Sequence, residues 1–127
     1  MPNFSAIGIV SSDLERSRAF YRLLGLEISA GDDHVSAETV SGIYVMFDTE
    51  DVMRSFRPEW KRETGNQVAL AFECGTPAEV DETYARVVDA GFESVKEPWD
   101  AFWGQRYALL HDPDGNDVAL YAANAGS

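Results

Sequence analysis

The chain has 127 residues, 45% of them hydrophobic and 25% charged, which suits one soluble globular domain. Its formal net charge of -12 disfavours nucleic-acid phosphates and anionic lipid surfaces as partners and favours cationic ligands. Cys74 is the only cysteine, so an internal disulfide is excluded, and no apolar run is long enough to span a bilayer. The opening MPNFSAIGIV has neither a basic start nor a long apolar core, so no signal peptide is read there and a cytoplasmic location is expected.

In chain order, a short strand around AIGIV is followed by a helix with Ser12 or Asp13 as N-cap. The apolar positions Leu14, Phe20, Tyr21 and Leu24 fall towards one side of that helix, and Gly25 ends it. Strand candidates follow at 26–29, 34–39 and 43–48. The segment 49–66 joins the halves as part helix and part loop, and holds Arg54, Arg57, Lys61 and Arg62. A second strand, ALAFE, leads into a helix with Thr76 as N-cap, Pro77 at the first position and Glu79 completing a capping box. Val80, Tyr84, Val87 and Val88 form its buried stripe, and Gly91 ends it. Strands at 94–98, 106–111 and 118–122 close the chain. In HDPDGNDVALYA, Pro113 and Gly115 supply turn geometry, and Asp112 is read as a turn residue closing hydrogen bonds.

The two halves repeat. The stretch AIGIVSSDLERSRAFYRLLGLE parallels ALAFECGTPAEVDETYARVVDAGFE, so each half reads as a βαβββ module, about 1–60 and about 66–127, within a single 1–127 domain. A helix covers one face of each sheet, and the open faces together would form a curved mixed sheet with a concave cavity, an α+β architecture. Alternation puts Ala6 with Gly8, Ala69 with Ala71 and Glu73, and Ala119 with Tyr121. Small residues there either leave a cavity open or allow close packing. Glu73 is read either as a carboxylate in that cavity, pairing a cation or acting as a base, or as a solvated strand end. Cys74, on the other face, reads as a small buried hydrophobe. His34 and His111 are the only histidines, and one His beside a turn Asp makes a poor metal site. No nucleophile elbow or phosphate-cradling glycine loop is present.

The stretches SSDLERSRAFYRLLGLE, VALAFEC, WGQRYALLHDPDGN and DVALYA resemble the vicinal oxygen chelate superfamily, which includes glyoxalase I, extradiol dioxygenases and bleomycin-resistance proteins. The resemblance implies paired βαβββ modules, often assembled as homodimers. Catalytic members carry His and Glu metal ligands on the first and last strands of each module. Carried over, those positions fall on Ala6, Ala69, Ala119 and on Tyr44 or Met46, none of which ligates a divalent cation well. The expectation is therefore a metal-free member without cofactor, most like the bleomycin-resistance branch.

The ring-rich KEPWDAFWGQRY resembles the strand and loop that edge the pocket in that family. The residues expected to contact ligand are Tyr44, Met46, Trp60, Glu73, Trp99, Phe102, Trp103, Arg106, Ala119 and Tyr121. Aromatic faces suit planar and cationic molecules. The expected function is binding of a small planar, neutral to cationic organic molecule, with drug sequestration as one form of it. The expected partners are that ligand and a second copy of the chain, with neither nucleic acid nor membrane. Two alternatives stay open: a lyase- or dioxygenase-type enzyme of the same superfamily on a small organic substrate, and a degenerate scaffold with a regulatory or protein-binding role.

Overall fold

Alternation at the start of the chain becomes a strand in the computed structural model, which describes residues 3–62 and 68–125. The chain divides into two compact units, Met1–Glu63 and Thr64–Ser127. Among the described residues the architecture is α+β, with one sheet of three strands, one of four, and three helices.

The first unit contains β1 (Ala6–Ser11), α1 (Leu14–Arg22), β2 (His34–Glu38), β3 (Tyr44–Thr49) and α2 (Glu50–Phe56). The sheet order is β1-β3-β2, with β1 parallel and β2 antiparallel to β3. Asp13, not Ser12, caps α1: its Oδ1 accepts from the backbone N–H groups of Glu15 (3.1 Å) and Arg16 (3.3 Å). Gly25, with φ of +82°, follows the helix in the conformation that glycine adopts without a Cβ penalty. The helix lies against the face bearing Ile9, Val35, Ala37, Val45 and Phe47, all buried. The Ser11 and Ser17 hydroxyls bond at 2.7 Å, and the Tyr21 ring lies 5.2 Å from that of Phe47.

The strand expected at 26–29 does not form. Leu26 and Ile28 are buried, but only Ser29 bonds to β2: its N–H donates to Ser36 O at 2.8 Å, and its Oγ accepts from Ser36 N at 3.1 Å. The Arg18 guanidinium donates to the carbonyls of Ser29 and Gly31, so a side chain takes acceptors that a ladder would otherwise use. In the joining segment, α2 is helical, capped by Thr49 Oγ1 accepting from Val52 N at 3.2 Å, and a loop follows. Residues 63–66 of that segment lie outside the described residues.

The second unit contains β4 (Ala69–Glu73), α3 (Pro77–Asp89), β5 (Ser94–Ala101), β6 (Gln105–His111) and β7 (Asp117–Ala123), in sheet order β4-β7-β6-β5. Thr76 Oγ1 accepts from Glu79 N at 3.1 Å, while Glu79 Oε2 reaches one residue beyond the usual box partner and accepts from Gly75 N at 2.6 Å. Val80, Thr83 and Val87 are the buried positions of α3, with Tyr84 and Val88 half-buried on its flank. They cover the face formed by Ala108, Leu110, Val118, Leu120 and Ala122. In β5 the register slips between Lys96 and Trp99, a bulge that accommodates Pro98 on an edge strand.

The turn between β6 and β7 is built on Asp112, which is buried. Its Oδ1 accepts from the N–H groups of Asp114 and Asn116, both at 2.9 Å, and its Oδ2 accepts from Asn116 Nδ2 at 2.9 Å. Asn116 Oδ1 in turn accepts from Val68 N at 3.2 Å, which ties the start of β4 to the turn. Gly115 occupies the left-handed region at φ +84°. No helix among the described residues is long and apolar enough to cross a membrane.

Candidate functional site

In the second sheet the register sorts side chains onto two faces, because paired residues share a face and successive residues alternate. The face away from α3 carries three rows across the strands. Trp99, Tyr107, Tyr121 and Glu73 form the first, Leu109, Ala119 and Ala71 the second, and His111, Asp117 and Ala69 the third. Trp99 and Tyr107 ring centroids lie 5.5 Å apart and edge-on, and the Tyr107 and Tyr121 rings stack at 6.2 Å with planes 27° apart. Trp103, from the β5–β6 turn, sets its edge against Trp99 at 6.2 Å and Tyr107 at 5.3 Å, with its Nε1–H donating to Gln105 Oε1 at 2.8 Å. Lys96 Nζ sits 4.3 Å from the Trp99 ring centroid, so this ring face already receives a cation.

Glu73, Trp99, Ala119 and Tyr121 thus come together on one face. Ala71 is exposed there, whereas Ala119, in the central strand, is 5% exposed. Trp103 joins the cluster from the turn, while Phe102 beside it is 95% exposed and touches Trp103 at 5.0 Å. Tyr107 is the ring that sequence reasoning passed over, although it stands at the middle of the row. Its place in the ring-rich stretch was the available signal, and the register with Trp99 and Tyr121 supplies what one strand's alternation could not.

Arg106 does not share this face. It alternates with Tyr107 onto the α3 side, where its Nε and Nη2 donate to the two carboxylate oxygens of Asp81 at 2.9 and 3.3 Å, and its Nη1 donates to Asp100 at 3.3 Å. The hydrogen bond to Asp81, followed by the nearby charges of Asp81 and Asp100, pushes the guanidinium pKa above its usual value. Arg106 is a tie between β6, β5 and α3. His111 is also engaged, its Nδ1 with Glu93 and its Nε2 with Asp117 at 3.2 Å. Cys74 is buried, and burial, with the Glu79 charge second, raises its thiol pKa.

Tyr44, Met46 and Trp60 belong to the first unit. Tyr44, 41% exposed, and the half-buried Met46 lie on the face of β3 away from α1, in register with Ala6 and Gly8 of β1. Trp60 follows α2, with the guanidinium carbons of Arg54 and Arg62 lying 5.3 and 5.7 Å from its ring centroid. Arg62 also donates to Glu50 Oε2 at 2.7 Å and Val10 O at 3.2 Å, so this ring is bound into a local cluster of α2 and β1.

The metal implied by the resemblance finds no donor set. Ala6, Ala69 and Ala119 offer methyl groups, and Tyr44 and Met46 are poor ligands for a divalent ion. Among the described residues no group of three or more His, Cys, Asp or Glu side chains could hold a metal ion.

The family model for the Glyoxalase/Bleomycin resistance protein/Dioxygenase superfamily matches residues 3–120. The chain belongs to this superfamily. As a glyoxalase/bleomycin resistance/dioxygenase chain it also resembles solved structures along nearly its whole length. A glyoxalase/bleomycin resistance protein/dioxygenase from Nocardioides is 25% identical, with TM-score 0.78, covering 100% of this chain and 87% of that one. A glyoxalase/bleomycin resistance protein/dioxygenase family enzyme from Burkholderia phytofirmans PsJN shares the fold at 19% identity and TM-score 0.85, covering 96% and 99%. Lactoylglutathione lyase from Agrobacterium tumefaciens shares it at 20% identity and TM-score 0.69, covering 94% and 92%. No curated protein matches the chain.

Proposed function

We propose that this superfamily member binds a small planar, neutral to cationic organic molecule on the open face of its second sheet, without a metal, and that sequestering such a molecule is its function. The observation that carries this is the row Glu73, Tyr121, Tyr107 and Trp99, flanked by the small Ala71 and Ala119. A flat molecule laid on the exposed Ala71 has ring edges and faces beside it and a carboxylate at the end of the row. Lys96 over Trp99 shows the type of contact a ligand cation would replace, worth about 0.5–1 kcal/mol at an exposed ring and about 2 when desolvated. The net charge of -12 raises the local concentration of cations. Alanine at three positions where the family's metal ligands would fall supports binding without a metal. One tightly held Zn, Ni, Fe or Mn per chain, found by elemental analysis, would contradict that part.

Proflavine, a planar aromatic cation, is a suitable probe, read by quenching of tryptophan fluorescence. Trp99→Ala and Tyr107→Ala are each expected to weaken binding by roughly 3- to 30-fold, the equivalent of one or two ring contacts. Lys96→Ala is expected to strengthen it. Ala71→Phe, which fills exposed space without burying a misfit, is expected to block it, and added salt to weaken it. Unchanged affinity in both Trp99→Ala and Ala71→Phe would show that the ligand face lies elsewhere. Exposed sheet edges and family resemblance support assembly as a homodimer. The other reading, a lyase- or dioxygenase-type enzyme on a small organic substrate, needs groups able to move protons.

A further inference from the structure

The first sheet carries such a group on its open face. The register sets Val10, Asp48 and His34 in one row, Gly8, Met46 and Ser36 in the next, and Ala6, Tyr44 and Glu38 in the third. Gly8 is exposed, and a side chain built there would meet no atom within 4 Å, so there is open space above Gly8 beside Met46. His34 Nδ1 is hydrogen-bonded to Asp48 Oδ1 across the strand pair. The His34 side chain is 58% exposed while that of Asp48 is 20% exposed, so the carboxylate is sheltered and the ring faces outward. Among the described residues Nε2 has no hydrogen-bond partner.

From this arrangement we propose that His34, oriented by Asp48, accepts a proton from a small organic molecule lying over Gly8 and Met46, one with a C–H bond next to an electron-withdrawing group. This does not depend on the binding proposed for the second sheet. Asp48 fixes the neutral ring as the Nδ1–H tautomer, leaves the Nε2 lone pair available, and stabilises the imidazolium that forms. In the step, Nε2 takes the proton, and the electron pair of the broken C–H bond stays on the substrate, delocalised into the adjacent group. Return of that proton from Nε2 to the same or a neighbouring carbon restores both partners, with no oxidant or reductant required. The charged groups facing the ring are Asp48 from β3 and Asp33 from the approach to β2, whose Oδ1 accepts from His34 N at 2.6 Å, while Val10 on β1 carries no charge. The Asp48 hydrogen bond first, and the Asp48 charge second, raise the His34 pKa above 6.5, making it a stronger base than a free imidazole.

The test uses 5-nitrobenzisoxazole, in which removal of the ring C–H proton breaks the N–O bond and yields a nitrile and a coloured phenolate. The intact protein is expected to open this probe roughly 100-fold or more faster than His34→Gln, the lower end of general-base contributions. Asp48→Asn is expected to slow it and to move the midpoint of the pH–rate profile downward, whereas His111→Gln, with both its ring nitrogens already engaged, should leave the rate unchanged. Nitrogen NMR of neutral His34 is expected to show Nδ1 protonated and Nε2 bare, a readout independent of any substrate. Equal rates in the parent and His34→Gln, or a neutral ring protonated at Nε2, would overturn the assignment.

Discussion

Replacing Asp112 by Ala tests the turn that sets the register of the ring-bearing strands. Asp112 is 4% exposed, and its carboxylate accepts from Asp114 N, Asn116 N and Asn116 Nδ2, all at 2.9 Å. A hydrogen bond to a charged group contributes about 1.5–3 kcal/mol, and a buried donor left without a partner costs about 1–3 kcal/mol. The three bonds form one network, so their separate values do not simply add. A loss of about 3–5 kcal/mol is expected. At roughly 3–5 °C per kcal/mol for a chain of this size, the melting temperature falls by about 10–20 °C. Urea unfolding gives the free energy directly, with an unchanged m-value showing that the unfolded state is unaltered. Because Asn116 also accepts from Val68 N, the variant should loosen the start of β4 as well as the β6–β7 pairing of Tyr107 with Tyr121. Proflavine binding at a temperature where the variant is still folded should weaken too. A loss below about 1 kcal/mol would refute the reasoning, since it would mean that water satisfies all three donors at no cost.

Thr76→Ala removes the acceptor for Glu79 N and should cost about 1 kcal/mol in thermal or denaturant unfolding. For His34 the folded-state pKa is raised, so its pairing with Asp48 stabilises fully below the unfolded value of 6.5 and that stabilisation is lost as pH rises through the higher folded value. The parent should therefore exceed His34→Gln in melting temperature at mildly acid pH and converge with it in alkaline buffer. The exposure of the ring keeps the difference small. Light scattering at high protein concentration is expected to give the mass of a dimer, and a monomer mass there would end that expectation.

Much of the architecture follows from local chemistry that the sequence displays directly. Strand alternation, Thr76 with Pro77 and Glu79, the glycines at 25 and 91, and the DPDGN turn each act within a few residues, so they name elements and their ends without knowledge of partners. The same locality explains why Glu73 could be grouped with Ala69 and Ala71, and Tyr121 with Ala119: one strand's alternation suffices.

What lay beyond the sequence depended on register and on long-range side-chain competition. In the segment expected as a strand at 26–29, Leu26 N bonds back to Tyr21 O at the helix end, and Arg18, eleven residues before Ser29, donates to the Ser29 carbonyl. Arg106 was a candidate for the ligand face until Asp81, twenty-five residues away on α3, claimed its guanidinium. Tyr107 gained its position only when β6 aligned with β5 and β7, and His34 acquired Asp48 only through the pairing of β2 with β3. Alternation along one strand sets which side chains share a face, but a row across strands exists only once hydrogen-bonded pairing fixes which residues stand opposite one another. A one-residue slip would turn every one of those side chains to the other face, so the tertiary register alone decides the chemistry that each open face presents.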